Sequence, residues 1–197
     1  MGEKGKREQP LEYPTLEQME AEIKRRKFSK SYGSALRGTL YSLAVVAAIA
    51  ILVATLWMPV LQITGASMEP TLVDGQFVVA MKNDDFEPGE IAAFYYNNKI
   101  LVKRVIAEAG DWVDIDVDGN VYVNGILLQE PYLTEKALGE CTIELPYQVP
   151  DGKVFVMGDD RAISLDSRTT AVGCISKEQV LGQVMFRIWP MKEIGKL

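Results

Sequence analysis

Two hydrophobic patterns divide this chain. Thr39–Pro59, TLYSLAVVAAIAILVATLWMP, is one apolar run, and no charged residue lies between Arg37 and Glu69. About 20 residues rising 1.5 Å each match a hydrocarbon core of roughly 30 Å. The run therefore predicts a membrane-spanning helix over residues 38–60. Ahead of it, Thr15 and Gln18 stand at the spacing of a capping box, with Leu16, Met19 and Ile23 at helical intervals. That pattern predicts a short juxtamembrane helix within residues 1–37.

Beyond the run the alternation changes to period two. Strands are predicted at Gln76–Met81, Glu90–Tyr96, Ile100–Ile106, Trp112–Val117, Val121–Val123, Ile126–Leu128, Lys153–Met157 and Gln183–Trp189. Asn97-Asn98, Asp118-Gly119 and Asn124-Gly125 separate neighbouring strands as turn dipeptides. Only Lys177–Leu181 reads as a helical turn. The fold class expected is mainly β: an antiparallel β domain over residues 61–197 on one N-terminal transmembrane helix. Residues 107–152 read as a smaller inserted hairpin region of that domain.

Charge turns this pattern into a topology. Residues 1–37 hold nine Lys+Arg and six acids, a balance of +3, and the remainder holds 12 basic and 21 acidic residues, a balance of −9. Arg25, Arg26, Lys27, Lys30 and Arg37 precede the apolar run, and Tyr41 and Trp57 sit where interfacial aromatics belong. The basic flank predicts a cytoplasmic N-terminus and an extracytoplasmic β domain. A cleavable signal peptide would have a shorter apolar region and a shorter lead. A buried soluble helix rarely stays charge-free for so long.

Composition narrows the chemistry. Among 197 residues there is no histidine, which excludes a Ser-His-Asp triad, a Cys-His pair and any His-ligated metal. The two cysteines, Cys141 and Cys174, make no disulfide framework or zinc site; a single bridge and two free thiols both stay open. A net charge of −6 argues against a nucleic-acid surface. No cofactor and no metal are called for.

A hydrolase without histidine needs another base, and a lysine serves if burial lowers its pKa. Lys103 lies in the apolar strand Ile100–Ile106, and period two sends its neighbour Arg104 to the opposite face. Ser67 follows Gly65 and precedes Pro70 in a loop where free N–H groups could hold an oxyanion. Taken singly, each also reads as an ordinary edge-strand lysine or loop serine.

Three ordered motifs lift them above that reading. SMEPTL from Ser67, KRVIAEAGD from Lys103 and GDDRAISLDSR from Gly158 together closely resemble the bacterial type I signal peptidases of the single-spanning kind. The resemblance covers roughly residues 40–190. It implies Ser67 as nucleophile and Lys103 as general base. It implies supporting roles for Arg104 beside the site, Ser164 on the lysine amine, the pair Asp166 and Arg168 in the loop, and Met68 packed by the nucleophile. Where part of the family has a serine donor this chain has Gly65, so an oxyanion hole would rest on backbone N–H groups, that of Ser67 included. Asp160 and the sequence KRVIAEAGD also depart from the commoner pattern, outside the Ser/Lys pair.

The implied activity is cleavage of signal peptides from exported preproteins at the outer face of the bacterial cell membrane, beside the secretion machinery, by an enzyme anchored in the lipid bilayer. An extended peptide with small residues before the cut would add to strand edges near Leu61, Ile63 and Gly65 and near Leu101. Self-cleaving repressors share the Ser/Lys logic but carry a DNA-binding domain where this chain has its apolar run. A non-catalytic anchored β module would not need Ser67, Lys103 and Ser164 together.

Overall fold

The structure, a computed structural model, describes residues 15–83 and 85–197, with residues 27–35 described as backbone. Lys4, Lys6 and Arg7 of the basic arm lie outside the described residues. Helix α1 runs from Leu16 to Trp57 without a break. It starts at the capping box read from the sequence: the Thr15 N–H donates to Gln18 Oε1 (3.0 Å) and the Gln18 N–H to Thr15 Oγ1 (3.4 Å). No proline lies between Leu16 and Trp57, so the short juxtamembrane helix and the apolar run form one helix. It stops just before Pro59, whose ring disfavours helical backbone in the residue ahead of it. Leu36–Trp57, 22 residues of mean hydropathy 2.3, is the one helix among the described residues long and apolar enough to cross a membrane.

The chain divides near Leu52 into a helical unit and a β unit, Val53–Leu197. The last turn of α1 falls with the β unit because the Trp57 and Pro59 carbonyls accept the N–H groups of Lys82 and Ala80. The β unit is built from antiparallel strands β1 (Val60–Gln62), β2 (Phe77–Met81), β3 (Ile91–Tyr96), β4 (Lys99–Ala107), β5 (Trp112–Ile115), β6 (Val121–Val123), β7 (Ile126–Leu127), β8 (Tyr147–Gln148), β9 (Lys153–Met157), β10 (Ile175–Ser176), β11 (Val180–Trp189) and β12 (Gly195–Lys196). The large sheet has the order β1-β2-β11-β3-β4-β9-β10, with β12 on β11, and the small sheet the order β7-β6-β5-β8. The sequence expectation of a mainly antiparallel β domain holds. Strands β1, β8, β10 and β12 are too short to show a period, and the alternation does not reveal them. At Lys177–Gln179 there is a single 3-10 turn leading into β11.

The pairing of β4 sets up the site. Its first six residues, Lys99–Arg104, pair with β3 across the Asn97-Asn98 turn, where both asparagines take positive φ (43° and 63°) as a tight hairpin requires. On its other side β9 pairs only from Arg104 onward. The stretch Lys99–Lys103 is therefore an open edge in the middle of the sheet order, and β1 ends the same sheet with a second one. Buried Ile63, Met68, Leu72, Val78, Ala80, Ile91, Ala93 and Val184 pack beneath the loop that carries Ser67.

Candidate active site

Ser67 sits in the loop from β1 to β2. The loop is closed at its base, where the Ile63 N–H donates to the Gln76 carbonyl (2.8 Å) and the Gly75 N–H to the Ile63 carbonyl (3.0 Å). Met68 and Leu72 are buried beneath it, so the loop's apolar positions hold it against the sheet. The Ser67 carbonyl accepts the Asp160 N–H at 3.1 Å, which ties the serine loop to the loop after β9.

Lys103 is 2% exposed, and its Nζ lies 2.6 Å from Ser67 Oγ. Burial drives its pKa down to about 8; Asp166 and Asp159 pull it up and Arg168 pushes it down. Arg104, on the opposite face of β4, is also buried, not an edge residue facing solvent. Its guanidinium grips Asp159 with Nε at 2.9 Å and a second short bond, and donates to the Gly89 carbonyl (2.7 Å) and to Thr71 Oγ1 (3.2 Å). Thr71, in the serine loop, in turn donates to Asp159.

Asp166 and Arg168 form a fully buried two-point pair at 2.9 Å on each arm. Burial alone would raise the Asp166 carboxyl, but Arg168 and the Gly158 N–H hold it below the usual carboxylate value. Arg168 also donates to the carbonyls of Leu138 (2.6 Å) and Arg161 (2.9 Å). Ser164 is brought to the same pocket; its buried Oγ lies beside the Asp166 carboxylate, helping to hold it low, and makes no close hydrogen bond to Lys103 Nζ. Gly158 explains how closely these loops meet: a Cβ there would overlap Ser164 Oγ and the Ser67 carbonyl.

Fewer backbone N–H groups in the serine loop are free than the sequence suggested. The Gly65 N–H is already spent on Asp74 Oδ1 at 2.7 Å, so Gly65 contributes neither a side chain nor an amide. Among the described residues the Ser67 N–H donates to nothing and stays available. Leu61, Ile63, Gly65 and Leu101 all line one cleft of about 560 Å³, with Ser67 and Met68 in its wall. The cleft lies between the free edge of β1 and the open half of β4. Cys141 and Cys174 are both free thiols, and burial pushes the Cys174 thiol up to about 11.

Thr71, Gly158, Asp159 and Arg161 fall inside the sequence motifs, but nothing in the spacing showed their contacts. Glu130 and Tyr132 lie outside every motif. Their one local signal is Glu130-Pro131-Tyr132, a stiff turn carrying a carboxylate and an aromatic ring.

A serine hydroxyl held against a buried amine in a mainly antiparallel β unit is an arrangement that could support nucleophilic hydrolysis without histidine. Residues 36–189 match the family described as signal peptidase, peptidase S26, and the chain belongs to that family. Signal peptidase IB of Staphylococcus aureus (strain COL) is 37% identical over 174 residues, covering 78% of this chain and 90% of that protein. Signal peptidase I of Bacillus licheniformis is 39% identical over 147 residues, covering 68% and 78%. The crystal structure of a signal peptidase I from Enterococcus faecalis V583 is 30% identical, with a TM-score of 0.40 over 50% of this chain and 95% of that one.

Proposed function

We propose that this chain is a membrane-anchored signal peptidase that removes signal peptides from exported preproteins with a Ser67 nucleophile and a Lys103 general base. The observation that carries the reading is the 2.6 Å contact between Lys103 Nζ and Ser67 Oγ in a chain without histidine. With a pKa of about 8, roughly one amine in ten is neutral at pH 7, against about three in ten thousand at the ordinary value. The neutral amine accepts the Ser67 proton as Oγ attacks the scissile carbonyl. The Ser67 N–H faces the oxyanion. The protonated amine then delivers its proton to the leaving amine, and the freed lysine activates the water that hydrolyses the acyl-enzyme. Asp166 with Arg168, and Arg104 with Asp159, hold the loops around the pair. Ser164, whose buried hydroxyl lies beside Asp166 without a close hydrogen bond, is assigned to the Lys103 amine as it moves through the cycle.

The substrate enters the cleft between β1 and β4 as an added strand, with backbone hydrogen bonds to the two free edges. Leu61, Ile63 and Leu101 leave room for small side chains next to the cut. The apolar stretch Leu36–Trp57 spans the bilayer, the basic arm stays in the cytoplasm, and residues 61–197 work outside, beside the secretion machinery. The test is cleavage of a labelled preprotein in vesicles by wild type, Ser67→Ala and Lys103→Arg. Wild type alone should release the mature protein, because a guanidinium cannot act as base at these pH values. Normal turnover by either variant would end the reading.

A further inference from the structure

Residues 128–140 link β7 to β8 and lie against the loops of the catalytic site. The Leu128 N–H donates to the Val121 carbonyl (2.8 Å), which fixes the segment to the small sheet at one end. At the other end Arg168 holds the Leu138 carbonyl, and a Cβ at Gly139 would overlap the Arg161 carbonyl. Between these anchors a turn at Glu130-Pro131-Tyr132, closed by the Leu133 N–H on the Glu130 carbonyl (3.2 Å), drives two side chains inward.

Each meets a buried arginine of the site. The Glu130 carboxylate, its side chain fully buried, pairs with the Arg161 guanidinium through both terminal nitrogens. The Arg161 Nε donates to the Gly158 carbonyl at 3.1 Å, at the point where Gly158 touches Ser67 and Ser164. The Tyr132 ring stacks on the Arg104 guanidinium, 3.9 Å from Cζ to centroid. Its hydroxyl donates to Glu130 (3.0 Å), which joins the two contacts into one clasp.

We propose that Glu130 and Tyr132 are positioning residues for the hydrolytic reaction: a strap from the small sheet sets Arg161 and Arg104, and through them the Ser67–Lys103 pair. The inference rests on the proposed signal-peptidase function. A buried guanidinium is stable only against a counter-charge, and for Arg161 that charge comes from the strap. Arg104 has no such need, since Asp159 neutralises it; the Tyr132 ring instead closes the one face of the guanidinium plane and keeps it seated on Asp159. Four charged side chains act around Lys103: Asp166, Arg168, Asp159 and, through Asp159, Arg104. Loosening Arg104 leaves the Asp159 charge less cancelled, which favours protonated Lys103. No residue of the strap lines the cleft.

The experiment uses the full-length protein in detergent–lipid micelles and a peptide substrate with alanine before the cut. Ser67→Ala, Tyr132→Leu, Tyr132→Phe and Glu130→Gln are compared by kcat, KM, the pH profile of kcat/KM and thermal unfolding. Tyr132→Leu should lower kcat roughly tenfold or more with KM within about twofold, and move the acid limb to higher pH. Tyr132→Phe keeps the ring over Arg104 and should recover most of the loss. Glu130→Gln should lower kcat as strongly; where it fails to fold, the two Tyr132 variants carry the test. Tyr132→Leu with wild-type kcat and pH profile overturns the inference, as does a loss matched by its unfolded fraction or equal in Tyr132→Phe. An active Ser67→Ala overturns the proposed function itself, and the inference with it.

Discussion

Lys103 shows how much one buried charge can cost. Its pKa is 10.5 in an ordinary setting and about 8 here, because the surrounding core desolvates the ammonium more than Asp166 and Asp159 compensate. Between those two values the unfolded chain binds a proton that the folded chain does not. Stability therefore rises as pH climbs through this window, and the full penalty, roughly 3 kcal/mol, applies below it. Lys103→Met, of similar length and uncharged, should be inactive and yet more stable at pH 7 by up to about that amount. Urea unfolding of both proteins at pH 7 and at pH 10 checks this. The gain should shrink at the higher pH, and a variant less stable than wild type at pH 7 would contradict the burial account. If Lys103 is the base, as proposed, the acid limb of the wild-type rate should fall near pH 8, read from the pH profile of kcat/KM.

Strand β4 does two jobs with adjacent residues, one at the serine and one in an ion pair. Lys103 reaches Ser67 Oγ, and Arg104 clamps Asp159, the Gly89 carbonyl and Thr71 of the same serine loop. The strand was legible in the sequence by its alternation, and the opposite facing of the two cations follows from it. That Arg104 is buried in an ion pair was not legible, since Asp159 lies far along the chain and meets it only through the pairing of β4 with β9. Arg104→Lys keeps the charge but loses the two-point grip on Asp159, at a cost of about 1–3 kcal/mol. Its melting temperature should fall by several degrees, while turnover falls far less than in Lys103→Arg. Equal losses of turnover in both variants would show that Arg104 takes part in the chemistry directly.

For the whole molecule, charge and hydropathy make a vectorial object: a basic arm, a 22-residue apolar helical stretch and an acidic β unit. With the arm in the cytoplasm, protease added to intact spheroplasts should digest the β unit and leave residues 1–37 protected. An antibody tag at each end reads out the fragments, and loss of the N-terminal tag alone would reverse the orientation. The division near Leu52 also predicts that the first stable fragment from limited proteolysis in detergent is the β unit.

Local order along the chain was enough for the membrane-length helix, its capping box, the longer strands and the Asn97-Asn98 turn. Each depends on a period, a length or a backbone preference within a few residues. The motifs added Ser67, Lys103, Ser164, Asp166 and Arg168 as residues of one site, without their contacts. Only the tertiary structure decided that Lys103 Nζ reaches Ser67 Oγ across 36 positions of sequence, that the Gly65 amide is taken by Asp74, and that Ser164 Oγ is buried beside Asp166. It alone seats Glu130 on Arg161 and Tyr132 on Arg104. Such contacts join segments that nothing in the intervening chain couples. The ion pairs among them form because a buried guanidinium must find its counter-charge wherever the packed strands bring one, a condition no run of neighbouring residues can express.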